Sequence, residues 1–221
     1  MAQGLIEALA GNDTAQSRGG FAIAPGIVTE NIDFLSEGRV KVRVPAMPGF
    51  EPWARVSSVG AGSDRGFCWI PQLDDEVLIA FAQNDASTAY ILGGLWSTQS
   101  RPPLSIPTDF LNKRTIKTGI AGAPGHQVEF DDLLQSITIT TSTQQKITLD
   151  PEKIEFSGAF GALTISMDNA SQTISLQAAV KLELKAPQIS LEGLTVEIKG
   201  TEVTINAAGP CSVQGLPIKL N

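Results

Sequence analysis

The chain is poor in the residues that most often carry chemistry. Its 221 residues include one histidine, His126, two cysteines, Cys68 and Cys211, and one tyrosine. A lone histidine excludes paired-histidine metal sites and argues against a Ser-His-Asp triad. No metal and no cofactor is expected. Charged residues make up only 18% of the chain and lean acidic, with a net charge of −7 and a pI of about 4.7. That balance leaves no electrostatic footprint for nucleic acid, and no basic block suits an anionic membrane surface. No run approaches the roughly 20 apolar residues that span a bilayer. Met1–Ala10 lacks a positively charged leader, so synthesis in the cytoplasm without a signal peptide is expected. The two thiols are far apart in sequence and read as buried free cysteines of a chain made under reducing conditions.

What the chain has in abundance is alternation. From His126 to Asn221 apolar residues fall on every second position: Ile137 and Ile139, Ile147 and Leu149, Ile154 and Phe156, then Leu163, Ile165 and Met167. The pattern continues through Ile174 and Leu176, Val180, Leu182 and Leu184, Ile189 and Leu191, Val196 and Ile198, Val203 and Ile205, and Ile218 and Leu220. Thr, Ser, Lys, Glu and Gln fill the places between. Strand side chains point to opposite faces in turn, so a period of two means strands with one dry and one wet side. Gly193, Gly200, Gly209 and Gly215 punctuate the run about every six to nine residues, close to one strand per turn.

The first half is patterned differently. Residues 1–20 are small and polar around a short apolar cluster, Leu5, Ile6, Ala8 and Leu9, and read as an arm. In residues 21–100, Val40, Val42 and Val44 alternate with Arg39, Lys41 and Arg43 before Pro45 ends the strand. A second strand starts at Trp53, a strongly apolar one runs from Val77 to Phe81, and "AYILGGLW" closes the set. Five or six short strands without a helical period fit a small closed barrel such as an OB-fold. Pro102, Pro103 and Pro107 then remove backbone donors and fix φ, marking residues 101–125 as linker and neck.

Several constellations invite a chemical reading, and each has a plainer one. "GAGSDRG" at Gly60–Gly66 has the wrong spacing for a phosphate cradle and no helix after it, so it reads as a turn. Asp74, Asp75 and Glu76 cluster in the barrel, and Glu129, Asp131 and Asp132 in the neck. Paired carboxylates could serve a glycosidase, but turn and surface roles fit these better. Trp53, Trp69 and Trp96 read as core or inter-subunit contacts, since the acidic charge argues against a base-stacking platform. His126 reads as a hydrogen-bond partner in the neck loop.

The words "GRVKVRVP", "WARVSSVGAGSDRGFCWIPQLDDEVLIAF" and "YILGGLW" together resemble the OB-fold domain of the phage baseplate central spike and VgrG family. "NKRTIKTGIAGAPGHQVEFDD" resembles that family's neck, and "VQGLPIKLN" the ending of many members. The resemblance implies an all-β chain: an N-terminal OB barrel, then an intertwined triple-stranded β-helix over residues 126–221. It further implies a homotrimeric, non-enzymatic spike in the baseplate of a phage tail or injection particle. Its expected neighbours are a hub at the OB end, on a separate protein, a PAAR-type tip protein at the C-terminal end, and transiently a target cell envelope. The tip site would comprise Leu216, Pro217, Ile218, Lys219, Leu220 and Asn221. Physics agrees with the trimer, because a lone ladder of amphipathic strands exposes an apolar face and open edges that threefold closure would cover. The competing reading is a β-solenoid hydrolase of peptidoglycan or polysaccharide with Asp74 or Glu76 at work.

Overall fold

The computed structural model describes residues 22–82, 85, 87–120 and 123–218. The expected arm over residues 1–20 lies outside them. The chain divides after Ala179 into two units.

The first unit opens with a closed barrel. Its strands are β1 (Ala22–Glu30), β2 (Arg39–Arg43), β3 (Trp53–Val56), β6 (Glu76–Phe81) and β7 (Ala89–Leu95), in the order β1-β2-β3-β7-β6. Closure depends on β1, which pairs with β6 through its first half and with β2 through its second. The change of partner falls at Gly26 and Ile27. A Cβ on Gly26 would lie 2.5 Å from Val42 Cγ1 and 2.6 Å from Ile79 Cδ1, so only glycine lets the two neighbours approach this closely. The parallel pair β3–β7 completes the ring; the other pairs are antiparallel.

The valine alternation on β2 becomes the barrel interior. Val28, Val40, Val42, Val44, Val77, Ile79 and Ile91 are fully buried, with Phe81 at their centre and Phe50 packed on its ring 6.1 Å away. Each such side chain contributes about 1.5–3 kcal/mol by leaving water. "GAGSDRG" forms a two-rung hairpin of β4 (Ala61–Gly62) and β5 (Arg65–Gly66), with Asp64 at positive φ in the turn.

After the barrel, one helical turn, α1 (Asp109–Asn112), leads into a seven-stranded antiparallel meander. Its strands are β8 (Lys113–Lys117), β9 (Gln127–Asp131), β10 (Ser136–Thr140), β11 (Lys146–Leu149), β12 (Lys153–Ser157), β13 (Leu163–Asp168) and β14 (Thr173–Ala178). Short turns force each strand to pair with the next. The sheet thus begins inside the segment 101–125 expected to be neck, because "KRTIK" supplies a strand that pairs with β9. Gly125 makes that pairing possible: a Cβ there would collide with the Thr118 carbonyl. The outer edges differ. β8 carries Lys113, Arg114 and Lys117, whereas β14, "TISLQA", has no charge.

Three of the six turns repeat one device. Asp131 Oδ1 accepts from the amides of Leu133 and Leu134, Asp150 Oδ1 from those of Glu152 and Lys153, and Asp168 Oδ1 from that of Ser171. Each aspartate ends or directly follows an odd-numbered strand, so all three turns cap the same end of the sheet. The Ser171 amide and hydroxyl hold the Asp168 carboxyl below its ordinary range.

In the second unit, none of the described residues from Val180 onward forms a strand. The strands expected at Val180–Leu184, Ile189–Leu191, Val196–Ile198 and Val203–Ile205 have no hydrogen-bonded neighbour within the chain, and a ladder needs two rows. The period of two survives locally as ion pairs between second neighbours. Glu183 is 3.2 Å from Lys181 and 3.0 Å from Lys185, and Glu197 is 2.7 Å from Lys199. Such spacing places both partners on one side of an extended chain. The all-β architecture and the barrel hold, while the intertwining expected over residues 126–221 is not visible within a single chain.

Candidate functional site

The register of the meander stacks its apolar residues into two columns on one face. One runs Phe130, Ile137, Leu149, Ile154, Met167, Ile174 from β9 to β14. The other runs Ile116, Val128, Ile139, Ile147, Phe156, Ile165, Leu176 from β8 to β14. Side chains directly opposite on neighbouring strands touch, so each column is a continuous apolar ridge. Among the described residues of this unit nothing covers it. Ile137, Ile139 and Leu149 are each 38% exposed, and exposure rises to 68% at Ile174 on the edge.

The sheet is therefore inverted relative to a folded core. Along β10 the polar Ser136, Thr138 and Thr140 are the half-buried residues, and the isoleucines between them are exposed. The polar face is sheltered by its own contacts. Lys153 Nζ lies 2.7 Å from Glu155, and the Gln127 amide donates to Glu129 at 3.0 Å. A soluble chain keeps an exposed apolar patch of this extent only where another surface meets it.

The base of the sheet is clamped by charge. Lys113 Nζ stands 3.6 Å from both Glu129 and Asp131 and 3.8 Å from Asp109 of α1. Glu129 foremost, with Asp109 and Asp131, raises the lysine pKa. The acidic residues singled out in the neck are thus occupied structurally. Asp132 donates its amide to the Asn112 carbonyl beside them. His126 sits where expected. Its Nδ1 accepts from the Ser142 amide, and its backbone exchanges hydrogen bonds with Thr118.

In the barrel, Asp75 accepts from the Gln72 amide at 2.8 Å, Asp74 has a φ of 66°, and Glu76 begins β6. These are turn and strand-end roles. Among the described residues no group of three His, Cys, Asp or Glu is disposed to hold a metal ion. A further carboxylate of the barrel has a clear task that no sequence pattern flags. Asp33 accepts from the amides of Leu35, Glu37 and Arg39 and pairs with the Arg39 guanidinium through both oxygens, at 3.0 and 3.1 Å. The guanidinium, aided by the three amides, holds the Asp33 carboxyl far below its ordinary range. The loop between β1 and β2 is thereby stiffened, with Phe34 and Leu35 left exposed.

One expectation is corrected. Cys68 and Cys211 are both exposed rather than buried: Cys68 lies beyond β5 in a segment without strand structure, and Cys211 in the unit without strands. Of the tryptophans, expected in the core or between subunits, Trp53 is half-buried under Arg39, and Trp69 and Trp96 are exposed, outside the core. They line a groove of about 540 Å³ with Phe67, Ile91 and the β8 residues Thr115 and Ile116. Of the six residues expected at the C-terminal tip site, Leu216, Pro217 and Ile218 are exposed, while Lys219, Leu220 and Asn221 lie outside the described residues.

One loop at the other end of the sheet stands apart. Between β12 and β13, Ala159–Gly161 make a 3-10 turn in which Phe160 has a φ of 62° and is 97% exposed. Among the described residues, seven non-glycines have positive φ: Ser36, Asp64, Asp74, Gln135, Gln144, Gln172 and Phe160. Only Phe160 is apolar. Holding a bulky residue in this region costs on the order of 1 kcal/mol.

Comparison with known proteins places the barrel. Residues 24–96 match the family described as the type VI secretion system/phage-baseplate injector OB domain. Over 188 residues, 81% of this chain, the sequence is 26% identical to the actin cross-linking toxin VgrG1 of Vibrio cholerae, of which that stretch is 16%. Over 124 residues, 53% of this chain, it is 29% identical to the type VI secretion system spike proteins VgrG2a and VgrG2b of Pseudomonas aeruginosa, covering 15% and 12% of their lengths. The chain thus spans no more than 16% of the curated relatives it matches. The likeness is thus to an injector OB domain and to VgrG spike proteins, and none of these likenesses supports a polysaccharide hydrolase.

Proposed function

We propose that this chain is the structural central spike of a contractile tail or injection system, acting as a homotrimer without enzymatic activity. One observation carries the reading: directly after an injector OB domain, a sheet of seven strands leaves two apolar columns uncovered. Three copies related by a threefold axis turn these columns inward, so that each face is buried against its neighbours. The segment from Val180 onward, which has no ladder partner of its own, then pairs with the other two chains as an intertwined β-helix. The barrels form a collar against a hub. The Leu216–Asn221 end receives a PAAR-type tip protein, and the rod crosses a target envelope when the sheath contracts.

The test is the mass in solution. Sedimentation equilibrium is expected to give three times the 23.3 kDa of one chain, and the species should persist in cold detergent. A stable monomer would reject the spike. The tip is tested separately by Leu216→Asp, which should abolish retention of a purified PAAR-type protein while the mass stays that of the trimer.

A further inference from the structure

We infer that Phe160 is an anchor between copies, its ring seated on the apolar face of a neighbouring chain. The inference rests on the trimeric reading. It begins from a mismatch: the turn asks for a left-handed residue, which glycine or asparagine supplies at little cost, and the chain places a phenylalanine there. A strained aromatic persists only where a contact compensates it. Among the described residues Phe160 has none, being 97% exposed.

The position of the loop says where that contact lies. The turn springs from the apolar side of the sheet. A Cβ on Gly158, the residue after β12, would lie 3.3 Å from Leu163 Cβ, and Leu163 lies opposite Ala178 in the register. Gly158, Leu163 and Ala178 therefore continue the apolar face beyond its two filled columns with small or exposed residues. Phe160 rises from the border of this third, underfilled row. The occupant that fits is a second copy of the same chain, because the row is continuous with the face that threefold closure covers. In a closed ring each chain gives one ring to its neighbour and receives one, which is a heterologous contact.

The opposed demands of strain and contact make the test decisive. Phe160→Gly relieves the strained φ and deletes the ring, whereas Phe160→Tyr keeps both. If the ring is seated on a neighbour, Phe160→Gly trimers should unfold at least about tenfold faster than wild type at a fixed guanidinium concentration, a factor equal to about 1.4 kcal/mol. Phe160→Tyr should stay near wild type. If the ring has no partner, Phe160→Gly unfolds at the same rate or more slowly, and the inference is overturned while a trimeric wild-type mass leaves the spike reading intact. A monomeric wild type overturns both. Should Phe160→Gly fail to fold, hydroxyl-radical footprinting of the unaltered protein decides. Protection of Phe160 relative to the guanidinium-unfolded chain supports the seat, and equal oxidation removes it.

Discussion

The barrel and the meander are written in the same alternating code and end in opposite states. In β2, Val40 and Val42 are fully buried; in β10, Ile137 and Ile139 stand exposed. Composition does not separate them, since both strands set β-branched residues against polar ones. Closure does. β1 reaches both β2 and β6, so five strands roll into a ring that buries its own interior. The meander adds each strand beside the last, stays open, and has no second layer among the described residues of its unit. A period-two sequence thus fixes which face is dry without saying which molecule dries it.

That contrast can be broken most forcefully at the centre of the sheet. Ile139→Asp would place a carboxylate from each chain in the proposed seam, at several kcal/mol per unpaired ion. Sedimentation should show the trimer lost, with the near-ultraviolet circular dichroism of the barrel retained. If the barrel melts together with the assembly, the two regions are not independent. In the barrel itself, Gly26→Ala forces a methyl against Val42 and Ile79 and should cost about 1–3 kcal/mol in denaturant unfolding. The same substitution at Gly161, where nothing stands within 4 Å, meets no steric clash, and only its positive φ of 70° resists it.

A smaller effect sharpens the junction. The Lys113 pKa is raised in the folded chain, so its contribution is complete below the ordinary lysine value of about 10.5 and fades as pH rises through the raised one. Lys113→Met should therefore be less stable than wild type at neutral pH, with the gap closing in alkali. A second pH effect belongs to Asp33, whose carboxyl is depressed. Its stabilisation is present above the ordinary carboxylate range and is lost as pH falls through the depressed value. Asp33→Asn should differ from wild type at neutral pH and converge with it in strong acid, read as thermal midpoints across pH.

Much of this was legible in the sequence. Valines on every second position announced β2, the apolar run from Val77 to Phe81 announced β6, and the long run of alternation the strands from β9 to β14. Other features were not read. The strand β8 hid among the prolines and glycines of the supposed neck, because five residues with one isoleucine carry too weak a period. The exposure of Cys68 and Cys211 was missed because hydrophobicity ranks a residue without locating the closure that buries it. The recurrent aspartates at Asp131, Asp150 and Asp168 were visible as the residue ending an apolar alternation, a signal of turns capped at one end of the sheet. Phe160 could not be found by pattern at all, since its interest lies in a backbone angle.

The borders of the meander carry a last consequence. Cations on β8 repel any further strand from that side, while the neutral rim of β14 offers free amides and carbonyls. Growth of the ladder is therefore one-way. Under the trimeric proposal, pairing between chains would continue past β14 rather than before β8, from the barrel end outward.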